Sequence, residues 1–406
     1  MLKGIEIRIY PNEEQVAYIS RLLGCCRYIY NQLVAEGRKY DKTNGEMWKP
    51  SAMYSFYMAH KRNTPFLSEV HSKVLSQSRL DYQQALHNYF TRKDSEEPRF
   101  HKRGKKDSCR FPIDAFIGIK GNRLSLIKQL KDIHFKCSRK DERYLNKNPD
   151  KVRSVTLRRT SSGKFFCSVL VEDVRIRPLA EVTQEVGIDL GIKDCAILST
   201  GEKIENPHNL GKMEEMIKKA QRKVSRRQKG SKRKREAQRR VARLHEKVAN
   251  RRKDFLHKAT TRIVRENQSI YLEDLNIKGM MANHHLAKAV GDASMSMFVR
   301  MLEYKCAWYG RKLVKIDRFY PSSKKCHKCG YVNKGLTLAM REWECPECGT
   351  IHDRDINAAI NILDEGRRVK VGLSSPEPNA RGQGDGRAAS QGAEVAVLDE
   401  TRKKSA

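Results

Sequence analysis

The chain has 406 residues, 39% hydrophobic and 32% charged, and its 82 Lys plus Arg against 48 Asp plus Glu give a formal charge of +34. Length predicts two to four domains, and a positive charge this large predicts a polyanionic partner. Nucleic acid fits better than a membrane surface, because the basic residues run through the whole sequence. No stretch reaches the roughly 18 consecutive apolar residues of a spanning helix. The opening MLKGIEIRIYPNEEQ carries charges where a signal peptide needs an apolar centre, so the expected location is cytoplasmic, in the cytosol or on the nucleoid. Eleven cysteines, four of them in two CxxC pairs, predict a reduced compartment and a metal site rather than a disulfide framework.

In chain order, Ile5, Ile7 and Ile9 alternate with Glu6 and Arg8 as in a half-buried strand that Tyr10-Pro11-Asn12 ends. Val16, Ile19, Leu22, Leu23, Cys26, Tyr30 and Leu33 then keep the spacing of one apolar helix face, as do Val70, Val74, Tyr82, Ala85, Leu86 and Tyr89. Tyr54, Phe56 and Tyr57 between them read as core. From EEPRFHKRGKKDSCRFP onward the texture is that of short strands, with Ser161-Ser162-Gly163 as a hairpin turn. The first strand and these together predict a small β-barrel, 1–15 and 93–183, interrupted by a helical module, 16–92.

EVGIDLGIKDCAILST is a buried strand with glycines on both sides of Asp189, followed by a second apolar run. Between Lys218 and Arg252, 17 of 35 residues are Lys or Arg. An apolar stripe of Met213, Met216, Ala220 and Val224, then Ala237, Val241, Leu244 and Val248, predicts two helices broken at Lys229-Gly230-Ser231. QSIYLEDLN and the run from Lys312 to Phe319 read as further strands. After Leu363 the composition turns to Pro, Gly and polar residues, which predicts a disordered tail, 366–406.

Cys326, Cys329, Cys345 and Cys348 form C-x2-C-x15-C-x2-C, the spacing of a four-thiolate zinc ribbon, with Gly330 and Gly349 allowing each tight turn. Four thiolates close the shell, so the Zn²⁺ is structural, and His327 and His352 are spare ligands nearby. Asp189, Glu273 and Asp355 lie in three unlike segments. Singly, each reads as a strand-end charge or a helix cap, Asp355 above all. Together they fit two-metal phosphoryl chemistry, which needs carboxylates from separate elements around Mg²⁺ ions about 3.5–4 Å apart.

In this order, GIDLGIKD, YLEDLN, RRKDFLHKATTRIV, PSSKKCHKCG, the second CxxC and HDRDINAAINI closely resemble TnpB, the RNA-guided nuclease family of bacterial insertion sequences related to type V CRISPR effectors. IRIYPNEEQ and GCCRYIYNQLV resemble the start of that family. The resemblance extends from about residue 3 to about 365. It implies an α/β multi-domain protein with a split RNase H-like (RuvC) nuclease domain, 184–320 and 351–365. A zinc ribbon, 321–350, would be inserted just before the last acid, and the N-terminal barrel would be a wedge around the helical recognition module. Asp189, Glu273 and Asp355 match the family's catalytic acids motif by motif, with Asp353 as rival for the third role and Asp194 and Asp274 as further neighbours.

The resemblance also implies an RNA-guided, Mg²⁺-dependent DNA endonuclease, with guide RNA from the transposon end, double-stranded target DNA and a short flanking motif read by the protein. Arg226 and Arg227 in the basic helices and Lys102, Arg103 and Lys105 in the KRGKK loop are expected phosphate contacts. Lys73, Ser76 and Gln77 are expected to reach base edges. No membrane association is expected, and a monomer is favoured. Two other readings compete: a catalytically silent RNA-guided or zinc-ribbon DNA-binding regulator, against which the intact acid set counts, and a strand transferase, which more often carries a helix-turn-helix, and none is evident here.

Overall fold

The isoleucine alternation forms β1 (Lys3–Tyr10), and Asn12 starts α1 (Glu13–Gly37) with a capping box in which Asn12 Oδ1 accepts from the Gln15 amide and Gln15 Oε1 from the Asn12 amide. The computed structural model describes residues 2–40, 47–92, 95–104, 107–116, 118–172, 174, 176–337 and 339–372; Lys105 and the expected tail from 373 lie outside the described residues. Next come α2 (Pro50–Asn63), α3 (Ser72–Thr91), β2 (Asp107–Pro112), β3 (Gly118–Lys120), β4 (Arg123–Ser125), β5 (Ile133–Lys136), α4 (Arg139–Lys147), β6 (Val152–Arg159) and β7 (Phe165–Val171). The sheet order is β2-β6-β7-β1-β5-β4-β3, and among the described residues no ladder joins β2 to β3. Of the small β-barrel expected, the described residues form a half-barrel sheet whose edge strands are β2 at one side and the three-residue β3 at the other.

Ile5, Ile7 and Ile9 face one core with Ile19, Leu22 and Leu33 of α1 and Val74 and Tyr82 of α3. Helix α2 was not legible as periodicity. Its Tyr57 is buried, Phe56 is half-buried against Trp48 and His60, and Tyr54, expected in the core, is 50% exposed beneath the Arg79 guanidinium.

The second half begins with β8 (Glu185–Asp189), β9 (Asp194–Leu198), β10 (Lys203–Glu205), α5 (Glu214–Ser225) and α6 (Lys232–Glu266). It continues through β11 (Ser269–Glu273), α7 (Ile277–Ala282), α8 (His284–Ala293), α9 (Met295–Tyr309), β12 (Lys312–Ile316), β13 (Glu342–Glu344), β14 (Ile351–Asp353) and α10 (Arg354–Lys370). The basic segment is the predicted pair α5 and α6, but Ile217, not Met216, packs with Met213 and Val248. Helix α5 starts at Glu214, so the inward positions run 213, 217, 220.

The second sheet has the order β10-β9-β8-β11-β12, with β8, β11 and β12 parallel and β9 antiparallel to β8. Val186, Ile188, Ile270 and Leu272 point to α6 and α9. The alternate residues, Gly187 and Tyr271, point to α10. A Cβ on Gly187 would overlap the Ala359 carbonyl and the Leu363 amide, and one on Gly366 would overlap the Tyr271 ring. Both glycines are therefore required for the close approach of α10 to the sheet.

Helix α10 also runs past the tail boundary expected at 366. Arg367 Nε and Lys370 Nζ both donate to the Glu185 carboxylate, at 2.8 and 2.7 Å, which holds the last turn against β8. Among the described residues no helix is long and apolar enough to cross a membrane.

Candidate catalytic cleft and zinc knuckle

Parallel pairing brings the C-terminal ends of β8 and β11 side by side, which is where open α/β sheets present their ligand sites. Asp189 ends β8 and Glu273 ends β11. Helix α10 crosses the same sheet and carries Asp355 in its first turn. All three side chains line one cleft of about 450 Å³, together with Phe319, Tyr320, Pro321, Ser322, Ser323, Lys324, Arg354 and Ala358.

Burial, followed by the charge of Asp355, pushes the Asp189 carboxyl up to about 6. Burial, followed by the charges of Asp189 and Asp317, pushes Glu273 up to about 7. Clustered, desolvated carboxylates of this kind supply the hard oxygen donors that a divalent cation requires, so the residues fit Mg²⁺.

Asp353, the rival, is the helix cap. Its Oδ1 accepts from the Asp355 and Ile356 amides, both at 3.0 Å, and its Oδ2 from Lys203 Nζ at 2.6 Å. With the cap supplied by its neighbour, the Asp355 carboxylate turns into the cleft. Asp274 is paired with Arg318 at 2.6 Å, and Asp194 opens β9 without lining the cleft. Two arginines meet Asp355 that no local pattern pointed to: Arg341 Nη1 donates at 3.1 Å and Arg354 Nη2 at 3.0 Å.

The four cysteine sulfurs lie within 4.8 Å of one another, with Cys326–Cys348 at 3.7 Å and Cys329–Cys345 at 3.5 Å. Tetrahedral thiolates at about 2.3 Å from Zn²⁺ would stand about 3.8 Å apart, so the set fits the ion. His352 is buried, with Nε2 3.1 Å from Cys326 Sγ, the geometry of an N–H donating to a coordinating thiolate.

The knuckle is bolted to α10. Asn357 Nδ2 donates to the Lys325 carbonyl at 2.8 Å, Asn361 Nδ2 to the Ser322 and Lys325 carbonyls at 2.8 and 2.6 Å, and the His327 amide to Asn357 Oδ1 at 3.1 Å. These contacts, together with the direct succession of β14 and α10, link the metal clip to Asp355.

The expected nucleic-acid residues are scattered. Lys73 is exposed but paired with Asp114 at 2.7 Å, while Ser76 and Gln77 are half-buried. Lys102 and Arg103 are exposed, and Lys105 lies outside the described residues. Arg227 is exposed, and Arg226 joins Lys219, Arg222, Lys223 and Arg240 around a basic concavity of about 380 Å³ between α5 and α6.

Over 368 residues the chain is 42% identical to a Streptomyces pristinaespiralis protein named "Putative RNA-guided DNA endonuclease", covering 90% of this chain and 89% of that one. The chain belongs to the TnpB family. Its family models are described as "Probable transposase" over 167–284, "Cas12f1-like, TNB domain" over 296–362 and "Helix-turn-helix domain" over 1–46. The last bears on the expectation that no helix-turn-helix is evident: the described residues of that stretch form one strand and one 25-residue helix, β1 and α1. A second relative, "Putative RNA-guided DNA endonuclease InsQ" of Escherichia coli, is 28% identical over 91% of this chain and 93% of that one. The fold is similar to that in "Cryo-EM structure of the Cas12f1-sgRNA-target DNA complex", with a TM-score of 0.53 at 16% identity over 86% of this chain and 82% of that one.

Proposed function

We propose that this TnpB-family protein is an RNA-guided, Mg²⁺-dependent DNA endonuclease that cuts double-stranded target DNA beside a short flanking motif. One observation carries the reading: three acids from β8, β11 and α10, up to 166 positions apart in sequence, line a single cleft. A nucleic-acid binder without chemistry gains nothing from burying carboxylates that would repel a phosphate backbone. The sheet strands and the helix α10 that together form the cleft come from segments separated by the basic hairpin and the knuckle, which supports a split RuvC-like nuclease domain spanning 184–320 and 351–365.

In this reading Asp189, Glu273 and Asp355 hold the ions. Bound Mg²⁺ supplies an activated water and stabilisation of the leaving oxygen. Helix α10 keeps the third carboxylate in register with the other two. Arg341 and Arg354 neutralise Asp355 while no cation does so. Exposed Lys102, Arg103, Arg226 and Arg227 hold nucleic-acid backbone, and sequence choice comes from guide pairing. The knuckle carries a structural Zn²⁺.

The test is Asp189→Ala, Glu273→Ala and Asp355→Ala in the protein with its copurified RNA. Each should lower target cutting by more than about 100-fold while RNA and target binding stay within a few-fold. Cutting that survives any of the three, or binding lost together with cutting, overturns the reading.

A further inference from the structure

One aromatic ring in the cleft has no structural task. Phe319 is 80% exposed, the most exposed large hydrophobic among the described residues. Isolated exposed apolar side chains are ordinary, so exposure alone decides nothing. Position does: Phe319 lines the same cleft as Asp189, Glu273 and Asp355.

Its backbone is also fixed. Strand β12 ends in buried Ile316, and the Phe319 amide donates to Asp317 Oδ1 at 2.7 Å, closing a turn that throws the ring outward. Its neighbour Tyr320 is tied down, with Lys325 Nζ donating to its hydroxyl at 3.1 Å and lying 5.3 Å from its ring centroid. Exposed Lys324 stands on the same rim. A flat apolar face beside a basic residue and a carboxylate cluster matches one nucleotide: base on the ring, backbone on the lysine, phosphodiester at the acids.

We propose that Phe319 is the stacking platform for an unpaired base next to the scissile phosphate of the strand being cut. This rests on reading the three acids as the cutting site. Stacking on an aromatic face tolerates every base, which suits an enzyme whose sequence choice is made by guide pairing.

The experiment uses the full chain with its copurified RNA and a single-stranded DNA that extends past the segment complementary to that RNA. The DNA carries 5-iododeoxyuridine stepped along the unpaired part. In Glu273→Gln protein, irradiation should join one position of that DNA to Phe319, mapped by mass spectrometry. Phe319→Leu in the same background should lose the adduct and Phe319→Trp should keep one.

In otherwise wild-type protein, Phe319→Leu should raise KM roughly tenfold with kcat changed far less, since leucine keeps apolar area but has no π face. Phe319→Trp should restore KM, and neither should move the melting temperature. Adducts only elsewhere, or Phe319→Leu kinetics equal to wild type, overturn the stacking role and leave the acids untouched. Cutting that persists in Glu273→Gln overturns the cutting-site reading instead, with the adduct still reporting on Phe319.

Discussion

At the scale of single residues, the cleft holds two desolvated carboxyls at a cost in stability. Asp189 and Glu273 are held above their ordinary range by burial and by neighbouring carboxylates, Asp355 for Asp189, and Asp189 and Asp317 for Glu273. A carboxyl whose folded value is raised binds more protons folded than unfolded, so its ionisation erodes stability as pH climbs from about 4 towards about 7. Asp189→Asn or Glu273→Gln should therefore stabilise the metal-free protein at pH 8 by about 1–2 kcal/mol while abolishing cutting, as read by thermal melts in EDTA. Unchanged or lowered melting temperatures in both variants would show that the cleft does not strain its acids. Asp353 behaves oppositely: burial acts to raise its carboxyl, but Lys203 and the two helix amides outweigh it and hold it down, as befits a cap.

At the scale of elements, α10 is the part on which the site depends, and two glycines and one acid decide where it lies. Gly187→Ala places a methyl group against the backbone of α10, which cannot yield without lifting the helix. The expected cost is about 2–3 kcal/mol of stability, with activity falling further because Asp355 rides on the displaced helix. A melt and a cutting assay on the same preparation check both.

Glu185 fixes the other end of the helix. Burial acts to raise its carboxyl, but hydrogen bonds from Lys370, Arg367 and Tyr271 outweigh it and hold it at about 2. A depressed folded value stabilises above the unfolded value of 4.5 and is lost as pH falls from there towards about 2. Glu185→Gln should flatten the acid limb of the stability curve across that window. An unaltered limb would mean that the last turn of α10 is held by something else.

On the scale of the whole molecule, the four-cysteine knuckle is a brace for α10, which packs on the sheet. Asn357 and Asn361 reach from α10 to the Ser322 and Lys325 carbonyls just before the first CxxC turn, so the clip is tied directly to the helix that carries Asp355. Cys326→Ser or Cys348→Ser should release zinc, lower the melting temperature by several degrees and reduce cutting through Asp355, even though the substituted residues do not line the cleft. Metal content by mass spectrometry and melting of the full chain give the readout. Full zinc occupancy in both variants would refute the four-thiolate site.

Much of this was legible before any coordinates. The CxxC spacing, the strand alternation of Ile5, Ile7 and Ile9 and the glycine break of the basic hairpin are local signals, because backbone geometry and side-chain periodicity depend on near neighbours. The choice of Asp189, Glu273 and Asp355 came instead from the resemblance of the motifs around them to those of a known family, and their catalytic role remains part of the proposed reading. Local pattern could not reveal that Arg341 and Arg354 embrace Asp355, that Asp353 takes over the cap, or that Phe319 stands bare in the cleft. Nor could it show that Gly187 is a contact point for a helix 172 positions away. Those facts depend on which surfaces meet, and a chain acquires them only when distant segments pack against one sheet.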